Sequence, residues 1–351
     1  MERSQQTSRH HKASPMPLLT ITSPETIKKC ANLHLQPNDI FICSYPKSGT
    51  TWTQHIIISL LLLHRQLQLN HQQQQQNHQQ QQQNQNNIEY NHVSDYAPFL
   101  EIDPHWEQDT NELIQSIQEN HLKLGRRIFN THLRYDMLPQ QTNHIENVQG
   151  NKVKYIYLLR SPLDVCVSFY YHLSHQIEGC YEKSFDEFFH EWINGDLPFG
   201  SWMDHILSYV PHLITDYDDL DINNSRDVLL ITYEEMVTNL NDAIHKIVKY
   251  LELDDLIKSN DIENIIPSFT FSSMKKQLKQ FQPKSVTWKN DFKFLRKGQV
   301  GDSKTIVTDE QLEIFNTKVS EVNLLQLLTN LSNSNKKVLE CIKQLISGTT
   351  S

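Results

Sequence analysis

Asp39-Ile-Phe-Ile-Cys-Ser-Tyr-Pro-Lys-Ser-Gly-Thr-Thr-Trp52 reads as an apolar strand, Asp39 to Ser44, that runs through a short loop into a helix from Thr51 to Arg65. Gly49 permits a tight turn there, and the backbone N–H groups of Ser48 to Thr51 can wrap a phosphate at the positive end of the helix. The loop is not a Walker A sequence, because Lys47 precedes the glycine instead of following it.

The same alternation recurs downstream. Arg127 to Thr131 reads as a second strand, and Tyr155 to Leu159 as a third, apolar enough to be buried on both faces. A helix opens after it with Ser161 as N-cap and Pro162 at the first position. Val228 to Thr232 reads as a fourth strand, followed by a helix from about Glu234 to Leu251. Strand and helix in alternation predict an α/β fold, a single domain with a central parallel β-sheet flanked by helices. Each strand is followed by a polar side chain, in turn Lys47, His132, Arg160 and Tyr233. Parallel sheets bind ligands at the carboxyl ends of their strands, so these four side chains are expected to line one crevice.

Two segments fall outside this pattern. Residues 1–24 are expected to form a flexible leader, with few apolar anchors and Pro15, Pro17 and Pro24 discouraging a helix. Between Gln66 and Asn87, 18 of 22 residues are Gln or Asn, which predicts a disordered insertion in a domain spanning 25–345. Composition narrows the function as well. With 32 Lys+Arg against 41 Asp+Glu the formal charge is −9, which argues against a nucleic-acid or anionic-membrane partner. The longest apolar run, within Ile56 to Leu63, is too short to cross a bilayer. Five dispersed cysteines without CxxC spacing point to a reducing compartment, and a start without an apolar signal core adds to the expectation of a cytoplasmic protein.

At the first loop the chain resembles the cytosolic sulfotransferases, which use 3′-phosphoadenosine 5′-phosphosulfate (PAPS) and release 3′-phosphoadenosine 5′-phosphate (PAP). Their PKSGTTW sequence matches Pro46 to Trp52 residue for residue. The resemblance implies that Lys47 touches the 5′-phosphate and the bridging oxygen, that Ser48, Gly49, Thr50 and Thr51 hold the 5′-phosphate, and that Trp52 stacks on adenine. Asn130-Thr131-His132 is similar to the family's KTH motif, implying that His132 is the catalytic base, with Asn130 where the family has lysine. Arg160-Ser-Pro-Leu-Asp-Val-Cys-Val-Ser168 looks like its RNxxDxxxS motif, placing Arg160 and Ser168 on the 3′-phosphate; a plain Arg160–Asp164 pair at the helix start is the alternative.

Arg296-Lys297-Gly298 and Gly301-Asp302 are similar to the closing RKGxxGDW segment over the 3′-phosphate, with Ser303 at the tryptophan position. Tyr233, in a segment like YEDM, would contact adenine, and Phe271, in a segment like FxxMK, would stack on it. Phe269 replaces a usual threonine, leaving Thr270 as its candidate substitute, while Gly200 to His205 resembles the family's GSWxxH. The expected activity is transfer of the sulfuryl group to a hydroxyl of a small-molecule acceptor such as a phenol, steroid or alcohol, with no metal required. A monomer or a homodimer is compatible with a dimer segment altered by Asp309. His172 and His175, at i and i+3, make a poor metal pair, and Asp216 to Asp221 lacks EF-hand spacing. The rivals are a nucleotide kinase, which needs a GK[ST] loop, and a nucleotide-binding protein without turnover.

Overall fold

Alternation within the strands sorts the core into two layers. The computed structural model describes residues 16–76, 89–139, 152–216, 227–289, 292–331 and 335–348. Its strands are β1 (Ile40–Ser44), β2 (Ile128–Thr131), β3 (Lys154–Leu159), β4 (Leu213–Ile214) and β5 (Val228–Thr232), and every residue in them is buried. They form one parallel sheet in the order β2-β1-β3-β5-β4. Ile40, Ile42, Ile128, Ile156, Leu158, Leu229 and Ile231 face one side, where Ile56, Ile57 and Leu60 of the helix Thr50–Gln76 cover them. Phe41, Cys43, Phe129, Tyr157 and Leu159 face the other, under Val165, Cys166 and Phe169 of the helix Pro162–Ser174. On that second face Phe41 stacks on Phe129 at 4.9 Å and on Tyr155 at 5.1 Å, so one aromatic row ties the three strands nearest the site.

Helices leaving β1 and β3 thus pass to opposite faces, and the carboxyl ends of these adjacent strands part to form a crevice. The expected α/β architecture and its four strands are present. The edge strand β4 escaped the sequence reading because two residues carry no periodicity.

Three local expectations are corrected. The helix expected to stop at Arg65 continues to Gln76, eleven residues into the Gln/Asn stretch. Gln and Leu are good helix formers, a helix already nucleated extends at little cost, and Leu67 reaches the core layer beneath it. The rest of that stretch, 77–87, lies outside the described residues.

The leader is also not loose from Met16 onward. Met16 and Leu19 pack on the core, the Phe199 N–H donates to the Pro17 carbonyl at 2.9 Å, and Asp103 ties down the Ser23 amide at 2.8 Å. Pro24 starts a helix, Pro24–Ala31, because Ser23 caps it and proline suits its first position. Residues 1–15 lie outside the description. Finally, the helix after β5 is two helices, Tyr233–Thr238 and Leu240–Tyr250, split at Asn239, which leaves the helical region and caps the second.

Candidate active site

The loop after β1 is shaped by two residues with positive φ, Lys47 at 70° and Gly49 at 107°. The Gly49 carbonyl accepts from the amides of Trp52 and Thr53, both at 3.1 Å, which starts the helix Thr50–Gln76. Its first-turn N–H groups have no intrahelical acceptor and point positive charge at the crevice. A side chain at Gly49 would come within 3.1 Å of the Tyr233 ring, so tyrosine and loop are in close contact. Ser48 and Thr50 are buried in the loop, while Thr51 and Trp52 are half-buried, with Trp52 edge-on to Tyr233 at 6.0 Å.

Arg160 joins three segments. Its guanidinium donates to the Lys47 carbonyl at 3.1 Å and to the Gln299 carbonyl at 3.2 Å, and it lies 4.3 Å from the Tyr233 ring centre. Its Nε–H is buried without an acceptor. Asp164, 3.8 Å from Arg160, accepts from the amides of Gly301 and Ser303 at 2.7 and 2.8 Å. The plain Arg160–Asp164 pair is therefore too narrow a reading, since the carboxylate anchors the closing segment as well. Ser161 occupies the cap position without a side-chain cap bond, and its amide donates to Glu234 at 3.0 Å instead.

Above this, Arg296 and Lys297 both pair with Asp302, and Arg296 lies 4.5 Å from the Tyr171 ring centre. Gly298 sits against Phe271, whose ring would be 2.3 Å from any Cβ placed there. Lys47, Tyr233, Arg160, Arg296, Gly298 and Phe271 are thus brought together. Ser168 is half-buried on the helix Pro162–Ser174 and its hydroxyl has no hydrogen bond among the described residues. Thr270 is exposed, its hydroxyl occupied by the Pro267 carbonyl at 3.0 Å and as cap of the helix Phe271–Lys276, while Phe269 is a buried core residue packed on His55.

His132 stands at the end of β2, one strand from the loop. Its Nδ1–H donates to the Ser44 carbonyl at 2.8 Å, which assigns the tautomer and leaves the Nε2 lone pair free to accept a proton. Its amide donates to Glu101 at 2.8 Å, and its carbonyl accepts from His205 Nε2–H at 3.2 Å. The rings of Phe99 and Phe199, each 5.1 Å away, flank the imidazole. Burial first, and the Lys47 charge as well, lower its pKa to about 4 against the pull of the Ser44 bond, so it is neutral at pH 7. Lys47 is lowered to about 7, chiefly by burial and then by Arg160 and Arg296. Burial pushes Glu101, behind His132, up to about 7.

One residue of the crevice, His172, was not recognised in the sequence, and Asn130, noted there, has a feature that only burial reveals. Asn130 is fully buried at the end of β2, and neither atom of its side-chain amide has a partner. His172, discounted as half of a metal pair, lies with its Nδ1 3.2 Å from Lys47 Nζ. Its spacing of four from Ser168 on one helix face was the available signal. His175 turns away to stack on Phe292 at 4.5 Å. Of the acidic run, only Asp216 lies within the described residues.

Over residues 37–329 the sequence matches the family described as Sulfotransferase domain. Amine sulfotransferase of Oryctolagus cuniculus is 28% identical over 305 residues, 84% of this chain and 84% of that protein. Sulfotransferase 2A1 of Homo sapiens is 27% identical over 300 residues, 85% and 88% of the two chains. Among solved structures, mouse sulfotransferase SULT7A1 complexed with PAP is 25% identical, with a TM-score of 0.59 over 95% of this chain and 98% of that one. A retinol dehydratase complex, at 17% identity and a TM-score of 0.55 over 85% of this chain and 84% of its own, shares the fold. The matched span includes the loop after β1 and the strand-end arginine, and the chain belongs to the sulfotransferase family.

Proposed function

We propose that the domain spanning 25–345 transfers the sulfuryl group of PAPS to a hydroxyl of a small-molecule acceptor carried on an apolar body, such as a phenol, steroid or alcohol. The observation that supports this most is the convergence of the β1 loop, Arg160 and the closing segment on one crevice, with a neutral imidazole at the next strand end. An anion suits what is there. Arg160 Nε–H is buried without an acceptor, and the carboxylates nearest the cations, Asp164 and Asp302, already hold the closing segment.

In this reading Lys47, Ser48, Gly49, Thr50 and Thr51 hold the 5′-phosphate. Trp52, Tyr233 and Phe271 enclose adenine, with Thr270 at its margin. Arg160, Ser168, Arg296, Lys297 and Gly298 hold the 3′-phosphate. The bound cosubstrate supplies a sulfuryl group already attached to a good leaving phosphate. His132 Nε2 takes the proton of the acceptor hydroxyl as its oxygen attacks sulfur, and Lys47 stabilises the negative charge gathering on the bridging oxygen. Phe99 and Phe199 beside the imidazole give the acceptor an aromatic wall. Asn130 offers an uncharged donor toward the sulfuryl group.

The test is sulfate transfer from PAPS to a panel of phenols and alcohols, with His132→Ala and Lys47→Ala alongside. A wild type that binds PAP and transfers to none of them overturns the catalytic reading. Calorimetry with ATP against PAP separates the kinase rival, which predicts the reverse preference. Among the described residues no helix is long and apolar enough to cross a membrane. The cytoplasmic location stays part of the proposal, as does the choice between monomer and homodimer, which sedimentation decides.

A further inference from the structure

The side chain of Lys47 has a partner that sulfuryl transfer does not itself require. Its Nζ donates to Nδ1 of His172 at 3.2 Å and lies 4.6 Å from the Phe294 ring centre. Among the described residues no carboxylate pairs with this ammonium, so the imidazole is its one polar contact. His172 is held in place by aromatic edges, Trp288 at 5.1 Å and Phe294 at 6.0 Å. A nitrogen that accepts from an ammonium carries no proton, so the ring is neutral with its hydrogen on Nε2.

We propose that His172 is a positioning residue for Lys47, its neutral imidazole accepting the lysine's hydrogen bond so that the ammonium stays charged and aimed across the crevice. The proposal rests on the reading that Lys47 serves the transfer. Its physical content is that a neutral acceptor favours the protonated lysine, opposing burial and the two guanidinium groups that lower its pKa to about 7.

The groups facing the pair are few. From the end of β2 comes His132, from the end of β3 Arg160, and from the closing segment Arg296. The helix carrying His172 adds Tyr171, which lies under Arg296, and His175, which is turned toward Phe292. Burial, Lys47 and His132 hold His172 well below the usual imidazole range, and His132 is lowered to about 4. Between pH 5.5 and 9 the titration governing the contact is therefore that of Lys47.

Two substitutions separate positioning from packing. His172→Phe keeps an aromatic body between Trp288 and Phe294 but removes the acceptor. His172→Asn places an amide oxygen close to the position of Nδ1, an acceptor that does not titrate. The first measurement is kcat/KM for PAPS from pH 5.5 to 9, which reports ionisations of the free enzyme. The wild type is expected to lose activity as pH rises through about 7, where Lys47 gives up its proton. In His172→Phe this limb moves to lower pH by about one unit, so the variant loses roughly tenfold at pH 8 and little at pH 6. His172→Asn moves the limb back toward wild type.

The second measurement needs no turnover. The rate of Lys47 acylation by acetic anhydride is followed against pH by peptide mass spectrometry, and its midpoint is expected to fall in His172→Phe and recover in His172→Asn. Unchanged midpoints in both variants, or a loss of rate equal at every pH and not relieved by asparagine, overturn the proposal. A wild type that transfers no sulfate defeats the functional reading, while the acylation midpoints still decide the role of His172.

Discussion

Gly298→Ala tests the closing segment with a single methyl group. The added Cβ would meet Phe271 at 2.3, 2.7 and 2.7 Å, whereas carbon atoms settle at about 3.5 Å or more. Loop and ring must therefore separate by about 1.2 Å, and φ at this position is +66°, which costs a non-glycine residue about 1 kcal/mol. A displacement of that size takes the neighbouring Arg296 and Lys297 beyond hydrogen-bond range of anything they grip, since such bonds tolerate only a few tenths of an ångström. Losing one to two charge-assisted bonds lowers PAP affinity by about 2 kcal/mol, or roughly thirtyfold. The segment is half-exposed, so the unfolding temperature should change little. Calorimetric titration with PAP and a thermal melt make the assay. An affinity within about threefold of wild type would refute the claim that this glycine presses the closing segment onto Phe271.

Three further outcomes follow from the structure. Burial lowers His55, His121 and His132 to about 4 and His205 to about 3, so each is neutral when folded and titrates at its ordinary value when unfolded. Their stabilisation is complete above pH 6.5 and is lost as pH falls toward 4, while Glu101, raised to about 7, opposes them by one proton. Unfolding near pH 5.5 should take up protons net, and a urea midpoint that does not fall between pH 7 and 5 contradicts this. Asn130→Leu should raise stability by about 1 kcal/mol, because an amide with two unpartnered buried atoms is replaced by hydrocarbon, while lowering kcat; a destabilised variant would show that Asn130 has a structural partner. Deleting residues through Leu19 removes the Pro17–Phe199 hydrogen bond and the packing of Met16, loosening the ring beside His132. We expect a higher KM for the acceptor with PAP affinity retained, and equal loss of both would place the effect on folding.

Much of this arrangement was legible because the residues are local. Strand ends and the polar residue after each are contiguous in the chain, so Lys47, His132, Arg160 and Tyr233 could be placed at one sheet edge from periodicity alone. What escaped depends on contacts distant in sequence. His172 meets Lys47 across 125 positions and Asp164 meets the Ser303 amide across 139, pairings that local spacing does not specify. The orphaned amide of Asn130 is likewise invisible until the chain buries it. The extension of the helix to Gln76 was missed for another reason, that low complexity was equated with disorder although glutamine propagates a helix well.

That helix joins the loop after β1 to the start of the Gln/Asn stretch. From Thr50 to Gln76 it spans 27 residues, a rod of about 40 Å with the loop after β1 at one end and the glutamine run at the other. The chain is back at the first turns of this rod by Tyr90, whose hydroxyl lies 2.5 Å from His55 Nδ1, so the described residues on both sides of 77–88 are anchored to the core.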